Sequence, residues 1–255
     1  MGKLLCFELR KILRSKAFYA CLAISLVFLL INVVTAKVID DMMKELDPNY
    51  VGGVFSGVAF AKSGYSQASI SLISSIFLAI YVSEDFTCGA IKNIIGKGFN
   101  RLSVFFSKYI VTLVTMFVWT GIACLLSFLL GTILYGNANL PNGNVALIIL
   151  GQVLGVVALH AIYFVVSYSF GKLGLALTVN ILGPMVIGLV TGLADAAIFT
   201  GEFKITNYWA ESIMGNFSAT VTNEKLILPG LILLVVYAGA AITIGTLLAN
   251  KKEIK

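Results

Sequence analysis

Six long apolar runs constrain this chain of 255 residues more than any other feature. They lie at about 17–36, 68–83, 109–135, 145–170, 173–193 and 226–249. Each is close to the ~20 residues that an α-helix needs to cross a bilayer. A mean hydropathy of +0.97 lies far outside the soluble range. The runs also lack the polar–apolar alternation of a membrane barrel. The sequence therefore predicts an all-α, polytopic membrane protein, with residues 1–255 forming one transmembrane domain of six spans.

The distribution of basic residues predicts the orientation of these spans. If the N-terminus lies inside, the inner segments carry 13 of the 18 Lys and Arg residues. These segments are 2–16, 84–108, the link at Lys172 and the C-terminal tail. The loops at 37–67 and 194–225 carry the other five. Because cytoplasmic loops hold the excess of basic residues, we expect a multi-pass protein of the cell membrane with both termini in the cytoplasm.

The N-terminal segment 2–16 has a helical pattern with two distinct faces. One face carries apolar side chains (Leu5, Leu9, Ile12 and Leu13), and the other carries basic ones (Lys3, Arg10, Lys11 and Arg14). This pattern predicts an amphipathic helix that lies among lipid headgroups. A cleaved signal peptide is the alternative, but the basic segment and the following apolar run are both long for one.

The inner segment 84–108 is the one long polar interruption with a helical pattern of its own. Its isoleucines share one face of the predicted helix (Ile91, Ile94 and Ile95). Glu84 and Asp85 are predicted to lie at the N-terminus of this helix, where negative charge is favoured, and Thr87 to cap it. Gly96 and Gly98 are predicted to end the helix, and Asn100 to start the next one. Such a helix either lies on the lipid surface or docks into a soluble partner.

Chemistry that would power transport is missing from the sequence. His160 is the one titratable group near the middle of a predicted span, whereas ion-coupled carriers usually need several. Residues 91–98 lack the first glycine and the final Ser or Thr of a phosphate-binding loop. The four cysteines fall in spans or on the predicted inner side, and no metal-ligand spacing is present. We therefore expect no catalytic residue, cofactor or metal site, so that any energy must come from a partner.

This layout resembles the permease subunits of ABC-type exporters of the type-2 class, which have six spans and a coupling helix between spans 2 and 3. The local pattern is also similar. An acidic pair ends span 2, glycine and a basic residue follow, and an arginine precedes span 3 (Glu84, Asp85, Gly89, Lys92 and Arg101). The family often has Gly-Thr before that basic residue and a proline before the arginine. Here the sequence reads Gly89-Ala90 and Asn100-Arg101.

The resemblance implies several features that the residues alone do not. Two cytoplasmic ATPase subunits would receive the coupling helices, and a second permease subunit would complete the pathway. The loop at 194–225 would form short outer or re-entrant helices. Pro184, after Gly183, would kink span 5, as proline also does on physical grounds. Pro184 and His160 are candidates for gating or for lining the pathway. The alternative for His160, from its residue type alone, is a packed or hydrogen-bonded histidine. The cargo would be hydrophobic or amphipathic, such as an antimicrobial peptide or a lipid, and no nucleic acid is expected.

Three other functions are compatible with the sequence. A stand-alone carrier or channel would need no ATPase. An intramembrane enzyme would need a catalytic partner for His160, and the sequence offers none in an obvious position. A scaffold or sensor of a peptide-resistance system would need neither a pathway nor chemistry.

Overall fold

The computed structural model describes residues 2–46, 59–60, 68–135, 145–198, 204–217 and 224–251. Its helices, in chain order, are α1 (Gly2–Arg14), α2 (Lys16–Leu46), α3 (Ala68–Thr87), α4 (Ala90–Gly96), α5 (Arg101–Tyr135), α6 (Val145–Phe170), α7 (Leu173–Ala197), α8 (Ala210–Asn216) and α9 (Glu224–Lys251). A 3-10 turn at Ile205–Tyr208 precedes α8. The described part of the chain contains no strand, which agrees with the predicted all-α fold.

Six of the described helices are long and apolar enough to cross a membrane: α2, α3, α5, α6, α7 and α9. The predicted number of spans is therefore confirmed, but two of their bounds are wrong. α2 continues to Leu46, past the predicted end at 36, and α5 begins at Arg101, before the predicted start at 109. Two salt bridges, each between residues one helical turn apart, stabilise the extension of α2. Lys37 pairs with Asp41 at 2.9 Å, and Lys44 pairs with Asp40 at 2.5 Å.

α3 and α6 form the centre of the bundle. About two-thirds of the apolar window of α3 (67%) and of α6 (61%) is buried, against 11% for α7. α6 packs on α3, α5, α7, α8 and α9. Aromatic rings from α3, α5 and α6 fill much of the space between them, with Phe105 packed edge-on against Phe164 and Tyr168. The outer helices α2, α7 and α9 leave most of their apolar surface uncovered within the described chain.

Part of the predicted outer loop 194–225 folds back into the bundle. Residues 194–197 end α7 and 224–225 begin α9, whereas residues between them form the 3-10 turn and α8, the short helices that the resemblance implied. Ala210, Ile213, Met214 and Phe217 are buried against α6 and α9. Two glycines of α6 make this close approach possible, because a Cβ on Gly151 would lie 2.3 Å from the Phe217 ring and one on Gly155 would lie 2.4 Å from Met214.

Some of the predicted features lie outside the described residues. They include most of the loop 37–67, the link at 136–144 and the end of the basic tail at 252–255. The described part of the first loop, 37–46, continues α2 as a helix and is not a loop.

Candidate functional site

The short helix α4 connects α3 and α5 at the position of the predicted coupling segment. It spans seven residues, and Gly89, with φ of 66°, separates it from α3. A left-handed residue ends a helix readily when it is glycine, because glycine has no Cβ to clash. The prediction of a helix over part of 84–108 is therefore confirmed.

The predicted start of this helix is wrong. Glu84, Asp85 and Thr87 all belong to the last turn of α3. The Thr87 hydroxyl donates to the Glu84 carbonyl at 2.9 Å, so it bonds backward into α3 and does not cap α4. The break falls at Gly89 because only that residue adopts the conformation that reverses the chain there.

The predicted end of α4 agrees with the structure. α4 ends at Gly96, and Gly98 has φ of 89°. Asn100 then accepts a hydrogen bond from the Leu102 amide at 3.2 Å, which is the N-cap contact expected where α5 begins.

The apolar face of α4 is narrower than the sequence suggested. Ile91 is 1% exposed and packs into the protein, whereas Ile94 and Ile95 are half-buried. The prediction that Ile91 shares a docking face with Ile94 and Ile95 is therefore wrong for Ile91, because α4 folds back against α3 and α5. Lys92 and Asn93 are exposed. A partner at α4 would therefore contact Ile94 and Ile95, and Asn93 lies off that face.

A cluster of buried charges lies beside α4, where α1, α3 and α5 meet. Lys108 of α5, Glu8 of α1 and Asp85 of α3 are at most 4% exposed. The Lys108 ammonium is 2.8 Å from Glu8 Oε1, and it also pairs with Asp85 Oδ2. One cation therefore joins two carboxylates from two different helices inside the protein.

A second lysine and a tyrosine complete this charge cluster. Lys11 of α1 pairs with Asp85 Oδ1, so that two cations balance two carboxylates. The Tyr81 hydroxyl donates to Glu8 Oε2. The Tyr81 ring lies 4.8 Å from the Lys11 ammonium and 5.5 Å from that of Lys108, which is the range of cation–π attraction. Glu84 is more peripheral, with a side chain 54% exposed and 3.9 Å from Lys11.

The charge cluster ties α1 to both helices that flank α4. A buried charge that loses its partner costs several kcal/mol, so the three helices are held in one arrangement. Arg101 adds a link at the start of α5, where its guanidinium donates to the Asn250 carbonyl of α9 at 3.3 Å. Both ends of α4 are thus attached to helices that ion pairs and hydrogen bonds hold together: α3 at one end, and α5 at the other.

The sequence did not single out Glu8 and Tyr81. Glu8 carried a weak signal, because it lies one turn from Leu4 and one turn from Ile12, and all three are buried. A carboxylate in the middle of such a row predicts a buried cation elsewhere in the chain. The row Leu4–Glu8–Ile12 packs into the protein. Of the predicted apolar face, Ile12 is buried in this row, whereas Leu9 and Leu13 are 43% and 54% exposed.

His160 lies away from the charge cluster, inside the bundle. Its Nε2 is 3.0 Å from Thr112 Oγ1, and Thr112 donates its own proton to the Lys108 carbonyl at 2.8 Å. Nε2 must then carry the proton that it donates to Thr112. Tyr109 and Phe164 pack on the ring, at 5.1 and 5.9 Å between centroids. The geometry is that of a packed, hydrogen-bonded histidine, and no acidic group lies beside it among the described contacts.

Pro184 is incorporated within α7. The helix is continuous from Leu173 to Ala197 through Gly183-Pro184. Proline removes one backbone hydrogen bond there, and the predicted role of this position in kinking or gating stays a prediction.

A family model described as "ABC-2 family transporter protein" matches residues 4–195. The chain belongs to the ABC-2 transporter family. No curated protein and no solved structure matches it. In this family the membrane proteins serve ABC transport and generally work with ATPase subunits. The resemblance inferred from the sequence is therefore confirmed.

The ABC-2 match covers the whole candidate site. It runs from α1 to residue 195, near the end of α7, and so includes Glu8, Tyr81, α4 and Lys108. The 3-10 turn, α8 and α9 lie beyond it. The charge cluster therefore lies within the part of the chain that makes it an ABC-2 family member.

Proposed function

We propose that this chain is the permease subunit of an ATP-driven exporter in the cell membrane. Its termini and α4 would face the cytoplasm, where the basic residues concentrate. Separate ATPase subunits bind α4, and ATP hydrolysis takes place in those subunits. The observation that carries the proposal is that α4 joins two candidate spans, α3 and α5, and that buried charges hold the ends of these spans next to α4.

The charge cluster gives the proposed coupling a mechanical basis. Closure of the ATPase pair displaces α4 against the membrane domain. Gly89 and Gly98 define its ends, so α4 is too short to absorb the displacement by bending. α3 and α5 then move with α1 as one body, because Lys108 joins Glu8 to Asp85. Access to the pathway changes when this body tilts against the rest of the bundle.

A second permease subunit completes the proposed pathway. α7 supports this, because it carries one long face of exposed apolar side chains: Leu182, Met185, Val186, Leu189, Val190 and Leu193. Among the residues that the structure describes, none covers these side chains, which are all more than half exposed. A second copy, or a related chain, would bury part of this face and enclose a space between the two subunits.

A hydrophobic or amphipathic cargo fits this arrangement best. The proposed subunit interface is apolar, and His160 is packed and hydrogen-bonded. An antimicrobial peptide or a lipid would be accommodated there, whereas a sugar or an ion would lack polar partners. ATPase stimulation of the reconstituted complex by peptides and lipids would test this, and stimulation by hydrophilic solutes alone would contradict it.

Charge placed on the exposed face of α4 tests the coupling proposal. I94D and I95D each put a carboxylate where we expect the ATPase to bind, so co-purification of the ATPase should fall at least tenfold. N93D is the matched control, because it adds the same charge to the same helix at an exposed position off the isoleucine face. Undiminished ATPase binding and transport in I94D and I95D would remove α4 as the coupling element.

A further inference from the structure

A groove lies where α1, the start of α2 and the end of α3 meet. It encloses about 580 Å³. Its charged lining residues are Arg10, Lys11, Arg14, Lys16 and Glu84, and the remaining ones are Phe7, Ser15, Ala17 and Ile80. The lining therefore has four cationic side chains and one anionic one.

Three of these cations are available to an outside ligand. Arg10, Arg14 and Lys16 are exposed, and none of them forms a salt bridge with a carboxylate of the described residues. Lys11 differs, because Asp85 already holds it in the charge cluster. The groove thus presents a concentrated positive charge that the described chain does not neutralise.

The groove crosses the boundary between water and the bilayer. Lys16 is the first residue of a helix that can span the membrane, whereas Ile80 lies seven residues before the end of α3. At 1.5 Å per residue this places Ile80 about 10 Å deeper than that end. Tyr19, 52% exposed on the next turn of α2, is a typical residue of the membrane interface.

We propose that this groove binds the headgroup of an anionic phospholipid. Arg10, Arg14 and Lys16 contact the phosphate, because guanidinium and ammonium groups bind phosphate oxygens with charge-assisted hydrogen bonds. The acyl chains continue along the apolar surface below, past Phe7, Ile80 and the exposed side of α2. Lys11 connects the site to the charge cluster, so a bound lipid contacts the same α1 that braces α3 and α5.

The positive charge of the groove would also attract an acidic segment of an ATPase subunit. The apolar floor favours lipid, because it leads from the basic rim toward membrane depth, where a soluble protein does not reach. A phospholipid has the same order of groups, with an anionic head above an apolar tail.

Native mass spectrometry of the purified full-length chain tests the proposal. Delipidated protein is titrated with phosphatidylglycerol or with phosphatidylcholine. We expect phosphatidylglycerol to bind at least tenfold more tightly, and the variant R10Q/R14Q/K16Q to lose at least tenfold of that affinity. The control K97Q/K172Q/K251Q removes three exposed cations elsewhere and should bind as the wild type does. The charge-preserving variant R10K/R14K should stay within about threefold of the wild type.

Four results would overturn the proposal. Unchanged binding in R10Q/R14Q/K16Q would place the lipid elsewhere. An equal loss of phosphatidylglycerol affinity in the control variant would mean that the net charge of the protein, and not the groove, attracts the lipid. Displacement by millimolar glycerol phosphate would indicate a site for a soluble phosphate. Loss of ATPase co-purification with unchanged lipid binding would assign the groove to the ATPase. All substituted side chains are exposed, so thermal unfolding in detergent should match the wild type.

Discussion

The Lys108 ammonium lies 2.8 Å from a carboxylate oxygen of Glu8, a hundred positions earlier in the chain, and both side chains are buried. This pair joins the first helix of the protein to the beginning of the third candidate span. Because Lys108 also pairs with Asp85, the contact fixes the N-terminal helix against both helices that flank α4. The first helix is thus an integral part of the membrane domain and is more than a surface attachment.

Removing Lys108 should destabilise the protein strongly. K108M leaves Glu8 and Asp85 buried with Lys11 as the nearest cation, and a broken buried pair costs about 3–5 kcal/mol. We expect a clearly lower unfolding midpoint in detergent. K172M, at an exposed lysine, serves as the control and should leave the midpoint unchanged.

A double variant separates charge from packing at the same position. E8Q/K108M removes one carboxylate together with the cation. Its unfolding midpoint should therefore be higher than that of K108M. If the double variant is as unstable as the sum of E8Q and K108M, the two side chains do not interact as described.

Two adjacent carboxylates should differ in their effect on coupling. Asp85 is buried between Lys11 and Lys108, whereas the side chain of Glu84 is largely exposed. D85N should retain ATPase binding, because α4 is intact, yet lower the amount of cargo moved per ATP at least fivefold. E84Q should behave as the wild type. The measurement is transport and ATP hydrolysis in the same proteoliposomes, and equal coupling in both variants would contradict a role for the charge cluster.

A methyl group on α6 should disturb the packing of α8. In G151A the new Cβ would lie 2.3 Å from the Phe217 ring, so α8 must shift, at a cost of about 1–3 kcal/mol. G121A is the control, because nothing lies within 4 Å of a Cβ there. Unfolding midpoints in detergent provide the comparison. A stable G151A would mean that α8 does not pack on α6 in the assembled protein.

His160 should matter for packing and not for proton transfer. H160Q keeps a donor for Thr112, so it should retain transport and its pH profile. H160L loses that hydrogen bond, which costs about 1 kcal/mol of stability. Transport assays at several pH values compare the two variants with the wild type. Loss of transport in H160Q with normal ATPase binding would instead assign His160 to the pathway.

The six spans could be predicted because a bilayer requires long apolar helices, and few other sequence patterns resemble them. The end of α2 and the start of α5 could not. Residues 37–46 are half charged, yet they continue α2 as a helix, with salt bridges between residues one helical turn apart. Glu84 and Asp85 suit a helix N-terminus by charge, yet Gly89 places the break after them.

The charge cluster depends on contacts that one sequence cannot reveal. Glu8 carries a weak signal in its apolar row, but nothing in the sequence names its partner, and Lys108 looks like an ordinary charged residue beside an apolar run. Only the packing of α1 against α3 and α5 shows that each is the other's partner. The narrow face of α4 has the same origin, because Ile91 is buried by neighbouring helices and not by its own pattern.

The hundred positions between Glu8 and Lys108 also determine when α1 can dock during synthesis. At about 5–20 residues per second, the ribosome adds Lys108 some 5–20 seconds after Glu8. During that interval the first helix has no buried cation to receive its carboxylate, so Glu8 stays in water while the first two spans are inserted. The N-terminal helix can dock only once the third span arrives, and its docking marks the point at which this half of the protein is complete.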